Sequence, residues 1–265
     1  MVKAKTVKLD NDVLEVIQNM DWSEDGLTGK LPAGQLDRDL YVKVNKALTV
    51  AGGKWNRKLS AHIFNIDPRD QIEGFVNNKA LTIERDGFFE TPRAVFERMQ
   101  ALVPISEAPV DAFYLEPSAG LGAIARALLD HGVQPTRLIC VEKNKSRCDE
   151  LRKTFAVVFN MDFEAEDSLI DINGIVGVDR IFMNPPFEEG QDAIHVMKAY
   201  DHLRPDGKMV SVMSVGPFFK NDKKSKAFRE WLETKDYQVH ELPTGSFKES
   251  GTMVNTNLVV IHKLA

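Results

Sequence analysis

Apolar and polar positions follow two different rhythms along this chain, and the change falls near residue 85. Beyond it, short apolar runs recur between segments of helical period. The runs are Ala112-Phe113-Tyr114-Leu115, Leu138-Ile139-Cys140-Val141, Ala156-Val157-Val158-Phe159, Arg180-Ile181-Phe182-Met183, Met209-Val210-Ser211-Val212-Met213 and Asn257-Leu258-Val259-Val260-Ile261. Nearly unbroken runs of this length predict strands buried on both faces. Helices are predicted between them. One starts with Thr91 as its cap and Pro92 at its first position, and carries Val95, Phe96, Met99, Leu102 and Val103. A second ends near Gly132. A third covers 190 to 203, with Ala193, Val196, Met197, Tyr200 and Leu203 on one face, and stops at Pro205 and the Asp206-Gly207 turn; a fourth covers Lys226 to Leu232. Strands alternating with helices predict an α/β fold with a mostly parallel sheet covered on both faces.

The first 85 residues lack that rhythm. A helix is predicted over 36 to 51, through Leu36, Leu40, Val44, Leu48 and Ala51, ending at Gly52-Gly53. A strand over Ala61-His62-Ile63-Phe64 and a helix from Pro68 to Val76 follow. This segment reads as a small α+β appendage, serving as a DNA contact or a lid.

Two turns carry the chemistry. Asn184-Pro185-Pro186-Phe187 closes the strand that ends at Met183. Two prolines remove two backbone N–H donors and leave carbonyls that can only accept. The Pro185 carbonyl and the Asn184 side-chain oxygen can therefore accept from one exocyclic NH2 group, while Phe187 covers the face of a planar base. Upstream, Glu116-Pro117-Ser118-Ala119-Gly120-Leu121-Gly122 links a strand to a helix, and Gly120, Gly122 and Ala125 fit the G-x-G-x-x-A fingerprint. Glu142 follows at about the expected spacing of ~20 residues, where it suits ribose hydroxyls. A pyrophosphate needs bare N–H groups at such a turn. Glu116 puts a carboxylate there instead, which favours a ligand with a positive end, such as S-adenosylmethionine.

In this order the two motifs resemble those of class I S-adenosylmethionine-dependent methyltransferases acting on adenine N6 in DNA, of the phage and mobile-element type. The likeness runs from about residue 86 to 265, and Phe88-Phe89-Glu90-Thr91-Pro92 stands where that family has a Phe-x-Thr-Pro-like segment. The resemblance implies a Rossmann-like sheet and a cofactor held by several chain segments. Thr91 and Pro92, with Phe89 beside them, are expected at its methionine end, and Asp162 and Phe163 at its adenine ring. Glu116, Ser118, Ala119, Gly120, Gly122, Glu142, Lys143 and Asn184 complete the expected cofactor set. Asn184, Pro185, Pro186 and Phe187 are the expected catalytic group, acting on a flipped or single-stranded base by direct in-line methyl transfer. Similar tetrads occur in ribosomal RNA amino-methyltransferases and in enzymes that methylate a glutamine amide. These acceptors stay open, as does a catalytically silent cofactor-binding subunit.

Charge narrows the picture. A net charge of −5 and a pI near 5.7 exclude a protein that coats nucleic acid by bulk attraction. Contacts to DNA must be local, and the candidates are Lys54, Arg57 and Lys58, and the run Lys220, Lys223, Lys224 and Lys226. Cys140 and Cys148 are expected to be buried and reduced, and no His, Cys or carboxylate spacing completes a metal site. No apolar stretch is long enough to span a membrane and the start of the chain has no signal-peptide core, so a cytoplasmic protein is expected.

Overall fold

The computed structural model describes residues 5–32, 36–64, 67–83, 89–165, 177–248, 250 and 254–265. The chain divides into two compact units, Met1–Arg85 and Asp86–Ala265. Phe88 and residues 1–4 of the sequence reading lie outside the described residues.

The first unit contains β1 (Lys5–Lys8), α1 (Asn11–Gln18), β2 (Asp21–Trp22), β3 (Thr28–Lys30), α2 (Arg38–Val50), β4 (Lys54–Asn56), β5 (Ala61–Ile63), α3 (Arg69–Asn78) and β6 (Ala80–Ile83). β1 pairs with β6, and β2, β3, β5 and β4 form a second antiparallel sheet in that order. Asp37 starts α2 by accepting from the Asp39 and Leu40 N–H groups, which satisfies donors that a helix start otherwise leaves open. Val13, Ile17, Val44, Leu48, Phe64 and Phe75 form the core.

The second unit contains α4 (Arg93–Leu102), β7 (Tyr114–Glu116), α5 (Ala123–Asp130), β8 (Leu138–Glu142), α6 (Lys145–Leu151), β9 (Val157–Asn160), β10 (Val178–Met183), α7 (Gln191–Asp201), β11 (Leu203–Ser214), α8 (Gly216–Phe219), α9 (Lys223–Leu232), β12 (Asp236–Glu241) and β13 (Thr256–His262). Its seven strands lie in the order β12-β13-β11-β10-β7-β8-β9. β7 to β11 run parallel, whereas β13 is antiparallel to β11 and β12. Successive side chains of a strand point to opposite faces, and the core divides accordingly. Tyr114, Leu138, Cys140, Phe182, Val210 and Val212 pack with Phe96 of α4 and Ile124 and Leu128 of α5. Leu115, Ile139, Val141, Ile181, Met183, Met209 and Met213 pack on the other face with Val196 of α7 and Phe228 of α9.

This topology places the site. From β7 the chain steps outward to β8 and β9 and then returns to β10 on the other flank of β7. The strand order reverses there, and a crevice opens at the carboxyl ends of such a pair.

Two expectations shift in detail. Pro92, not Thr91, occupies the cap position of α4, and a proline has no side-chain oxygen to make a cap bond; the Thr91 hydroxyl accepts from Asn184 instead. The turn expected at Pro205-Asp206-Gly207 lies inside β11: Asp206 adopts φ 62°, and the register against β10 slips between the Val178 and Arg180 pairs. The strand absorbs the turn as an irregularity and continues. Cys140 and Cys148 are buried free thiols, and burial raises the pKa of both. Among the described residues no helix is long and apolar enough to cross a membrane.

Candidate active site

Two adjoining pockets open at the carboxyl ends of the strands and share Ser118 and Asn184 in their walls. The larger, about 480 Å³, is lined by Pro117, Glu142, Lys143, Asp162, Phe163, Pro186 and His195, among others. The smaller, about 240 Å³, is lined by Phe89, Glu90, Thr91, Glu116, Ala119 and Ala123.

The turn between β7 and α5 is shaped by backbone geometry that favours glycine. Gly120 and Gly122 adopt φ of 55° and 81°, a region costly for other residues. A Cβ on Gly122 would stand 2.7 Å from Leu151 and 2.8 Å from Phe155, so this glycine also lets α5 approach its neighbours. Glu142, at the end of β8, holds the turn in place. One of its oxygens accepts from the Gly120 N–H and the other from the Asn144 N–H, both at 2.8 Å. The Arg147 guanidinium also stands beside this carboxylate, 3.7 Å from Glu142 Oε1.

Glu116 lies at the end of β7, 2% exposed. Burial pushes its carboxyl well above the usual carboxylate range; the nearby Glu142 charge adds to the effect, while the Ala125 backbone and the Arg126 charge oppose it. Its Oε2 has no hydrogen-bond partner among the described residues. A buried, unpaired carboxylate oxygen is costly, and here it belongs to a residue lining the smaller pocket. What such an oxygen lacks is a hydrogen-bond donor.

Asn184 joins the two pockets. Its Nδ2 donates to the Phe89 carbonyl at 2.9 Å and to the Thr91 hydroxyl at 3.0 Å. A backbone carbonyl can only accept, so the amide orientation is fixed by chemistry. The Oδ1 thereby remains available as an acceptor. Elsewhere in the tetrad, Pro185 is buried and Pro186 lines the larger pocket. Phe187 is half-buried against the core face that holds Phe96 and Phe182, and neither pocket wall includes it.

On the far side of the larger pocket, Asp162 is exposed and accepts from the Glu164 N–H at 3.0 Å. Phe163 is buried, its ring 5.4 Å from that of His195 and 5.7 Å from that of His202. His195 has no role in the motifs, yet it lines the larger pocket and links Ser118 of its wall to Glu164. Its Nδ1 lies 3.1 Å from the Ser118 hydroxyl and its Nε2 3.3 Å from Glu164 Oε1. That contact holds the Glu164 carboxyl below its ordinary pKa. α7 carries His195 and is anchored by Asp192, which accepts from the Ser214 N–H and hydroxyl at 2.9 and 2.7 Å. No local pattern marks His195, because its partners come from distant parts of the chain.

The expected DNA contacts fall in different units. Lys54 is on β4, and Arg57 and Lys58 lie in the turn to β5; all three are exposed. Lys220 follows α8, and Lys223 and Lys224 open α9. Among the described residues no cluster of three metal-binding side chains occurs.

No family model and no curated protein matches this chain. Solved structures match it in fold. The methyltransferase subunit of the type I restriction-modification system from Streptococcus thermophilus aligns with a TM-score of 0.57 at 20% identity, over 74% of this chain and 48% of its own. A Vibrio vulnificus protein assigned as the modification subunit of a type I restriction enzyme aligns with a TM-score of 0.54 at 17% identity, over 85% of this chain and 53% of its own. A Listeria monocytogenes protein assigned to the class I S-adenosylmethionine-dependent methyltransferases gives 0.52 at 12% identity, over 75% and 67%. The chain thus spans about half the length of the two restriction-modification subunits. These likenesses define the fold as the Rossmann-like class I methyltransferase sheet, mostly parallel with helices on both faces.

Proposed function

We propose that this protein transfers a methyl group from S-adenosylmethionine to the exocyclic N6 amine of adenine in DNA, through the unit from 86 to 265. The observation that carries this reading is the fixed orientation of Asn184, which leaves an amide oxygen as acceptor in a pocket wall shared with Glu116. The orphaned Glu116 Oε2 fits the cofactor's ammonium. Phe89, Thr91, Pro92, Ser118 and Ala119 would surround its methionine end. Gly120 and Gly122 shape the turn, Glu142 and Lys143 would meet the ribose, and Asp162 and Phe163 the adenine ring.

Bound there, the cofactor supplies an electrophilic methyl group on a sulfonium. The chain's own residues supply position and electrostatics. Asn184 Oδ1 and the Pro185 carbonyl would each accept one hydrogen of the target amine, drawing its lone pair out of conjugation with the ring. The amine becomes strongly acidic as the new bond forms and gives its proton to water, so no general base is needed. Pro186 would wall the pocket and Phe187 would meet the base beyond it. A base in a duplex cannot reach such a site without leaving the stack. The names of the structural neighbours favour DNA as the acceptor, and Lys54, Arg57, Lys58, Lys220, Lys223 and Lys224 are its proposed phosphate contacts.

The test is incubation of the full chain with tritiated cofactor and, separately, single-stranded DNA, duplex DNA, RNA and a glutamine-bearing peptide. Label recovered as N6-methyldeoxyadenosine after nucleoside digestion is the expected result. Label only in RNA or peptide, or none at all, overturns the assignment. A second expectation concerns the pocket wall. Removing the His195 bridge should cost about 1.4 kcal/mol, within the range for lost buried hydrogen bonds. His195→Ala should therefore weaken cofactor binding by about 10-fold in titration calorimetry. Unchanged affinity would show that the Ser118 contact does not shape the site.

A further inference from the structure

We infer that Phe219, with the lysines that follow it, is the contact for the nucleic-acid strand beside the target base, its ring stacking on the adjacent base. The inference rests on the reading that the acceptor is adenine in DNA.

Placement comes first. β11 pairs in parallel with β10, Met183 standing opposite Ser211. Both strands therefore leave the sheet at the same edge, one into Asn184–Phe187 and the other, three residues further along, into α8. The two aromatic residues that end α8 diverge. Phe218 turns inward onto Phe228, with ring centroids 5.8 Å apart, while Phe219 is 65% exposed. A single exposed apolar side chain is ordinary, so exposure alone assigns nothing.

Charge supplies the second observation. Lys220, Lys223 and Lys226 are all exposed, and none forms an ion pair among the described residues. Elsewhere in this unit Arg93, Arg126, Lys145, Arg152 and Lys153 pair with nearby carboxylates. In a chain of net charge −5, three exposed, unmatched lysines that closely follow one exposed ring along the chain, with Asp222 the one carboxylate among them, make a local preference for an anion with a flat apolar surface. A nucleic-acid strand offers both phosphates and base faces.

The third observation ties this rim to the catalytic tetrad. Lys224 Nζ donates to the Glu189 carbonyl at 3.0 Å. Glu189 and Gly190 adopt φ of 53° and 73° in the turn directly after Phe187, and Gln191, the next residue, lines the larger pocket. The basic segment thus braces the turn that follows the tetrad. A strand crossing Lys220 and Lys223 with one base on Phe219 would present the neighbouring base to Asn184.

The experiment uses the full chain with S-adenosylhomocysteine and a labelled oligothymidylate carrying one adenine next to 2-aminopurine. Phe219→Ala is expected to weaken binding about 10-fold and to abolish quenching of the 2-aminopurine, with the salt dependence unchanged. Phe219→Trp should restore both. Lys220→Ala with Lys223→Ala should instead lower the slope of log affinity against log salt by about 0.7 per lost phosphate contact. Cofactor affinity should stay within about two-fold of wild type in every variant, a figure at the level of measurement scatter. If the oligonucleotide binds and is methylated but Phe219→Ala changes neither affinity nor quenching, this inference falls and the proposed activity stands. If the wild-type protein neither binds nor methylates DNA, both fall.

Discussion

Asn184→Ala is expected to lower the rate of methyl transfer by at least about 100-fold, the loss typical of a missing preorganised polar partner at a reacting group. Cofactor affinity should change by only a few-fold. The split follows from geometry. The Nδ2 of Asn184 is spent on the Phe89 carbonyl and the Thr91 hydroxyl, while its oxygen is proposed to act only on the acceptor. Thr91→Val removes one anchor and keeps the volume, so it should cost far less, about 10-fold, through looser aim of the amide. Single-turnover rates and equilibrium cofactor binding, measured on the same preparations, check both. Equal loss of transfer and cofactor affinity in Asn184→Ala would make Asn184 a structural residue that holds 89–91 in place.

Glu116→Gln is expected to act in opposite directions on the free protein and on the complex. Burial keeps the proton on Glu116 in the folded protein above the ordinary carboxyl value of 4.5. As pH rises from that value through the folded pKa, the unfolded chain gives up its proton first, so this group's contribution to stability is full below the window and lost across it. Gln cannot ionise. Above the window the variant without ligand should therefore melt higher than wild type.

Cofactor binding reverses the balance. An ammonium beside Glu116 favours the carboxylate, so binding within the window should expel up to about one proton and tighten as pH rises. Glu116→Gln should bind at least about 10-fold more weakly, since a charge-assisted hydrogen bond is lost, and should release no proton at this site. Calorimetry in buffers of different ionisation enthalpy counts the proton. An unchanged count, or wild-type affinity in the variant, would remove Glu116 from the cofactor site.

Much of the second unit was legible in the chain because its inner strands are largely buried on both faces and read as nearly unbroken apolar runs. At the sheet edges β9 is only half-buried, and β12, mostly exposed and polar, left no such run and went unread. Leu138–Glu142 and Val178–Met183 are such inner strands, and only their ends differ from the runs. The first unit was harder. β4 has three residues, too few for a period to show, and its sheet shields only part of each strand. The site divides along the same line. Glu116, Asn184 and the glycine turn were marked by residue types that are unusual where a strand ends. His195 and Gln191 were not, since each sits on an ordinary helix and acquires its partner only through folding. The same holds for Thr91, whose local surroundings indicate a helix cap but whose hydroxyl meets Asn184 instead.

By itself the sequence determined the alternation of buried strands and amphipathic helices, and with it a mostly parallel sheet and a candidate site at the strand ends, because burial and backbone conformation are local demands on residue type. Only the tertiary structure decided that β10 lies beside β7, that Asn184 turns its amide nitrogen toward Phe89 and Thr91, and that Glu116 is left with an unpaired oxygen in the same pocket wall. Those outcomes depend on strand order and on contacts between residues far apart in the chain, which no periodicity records.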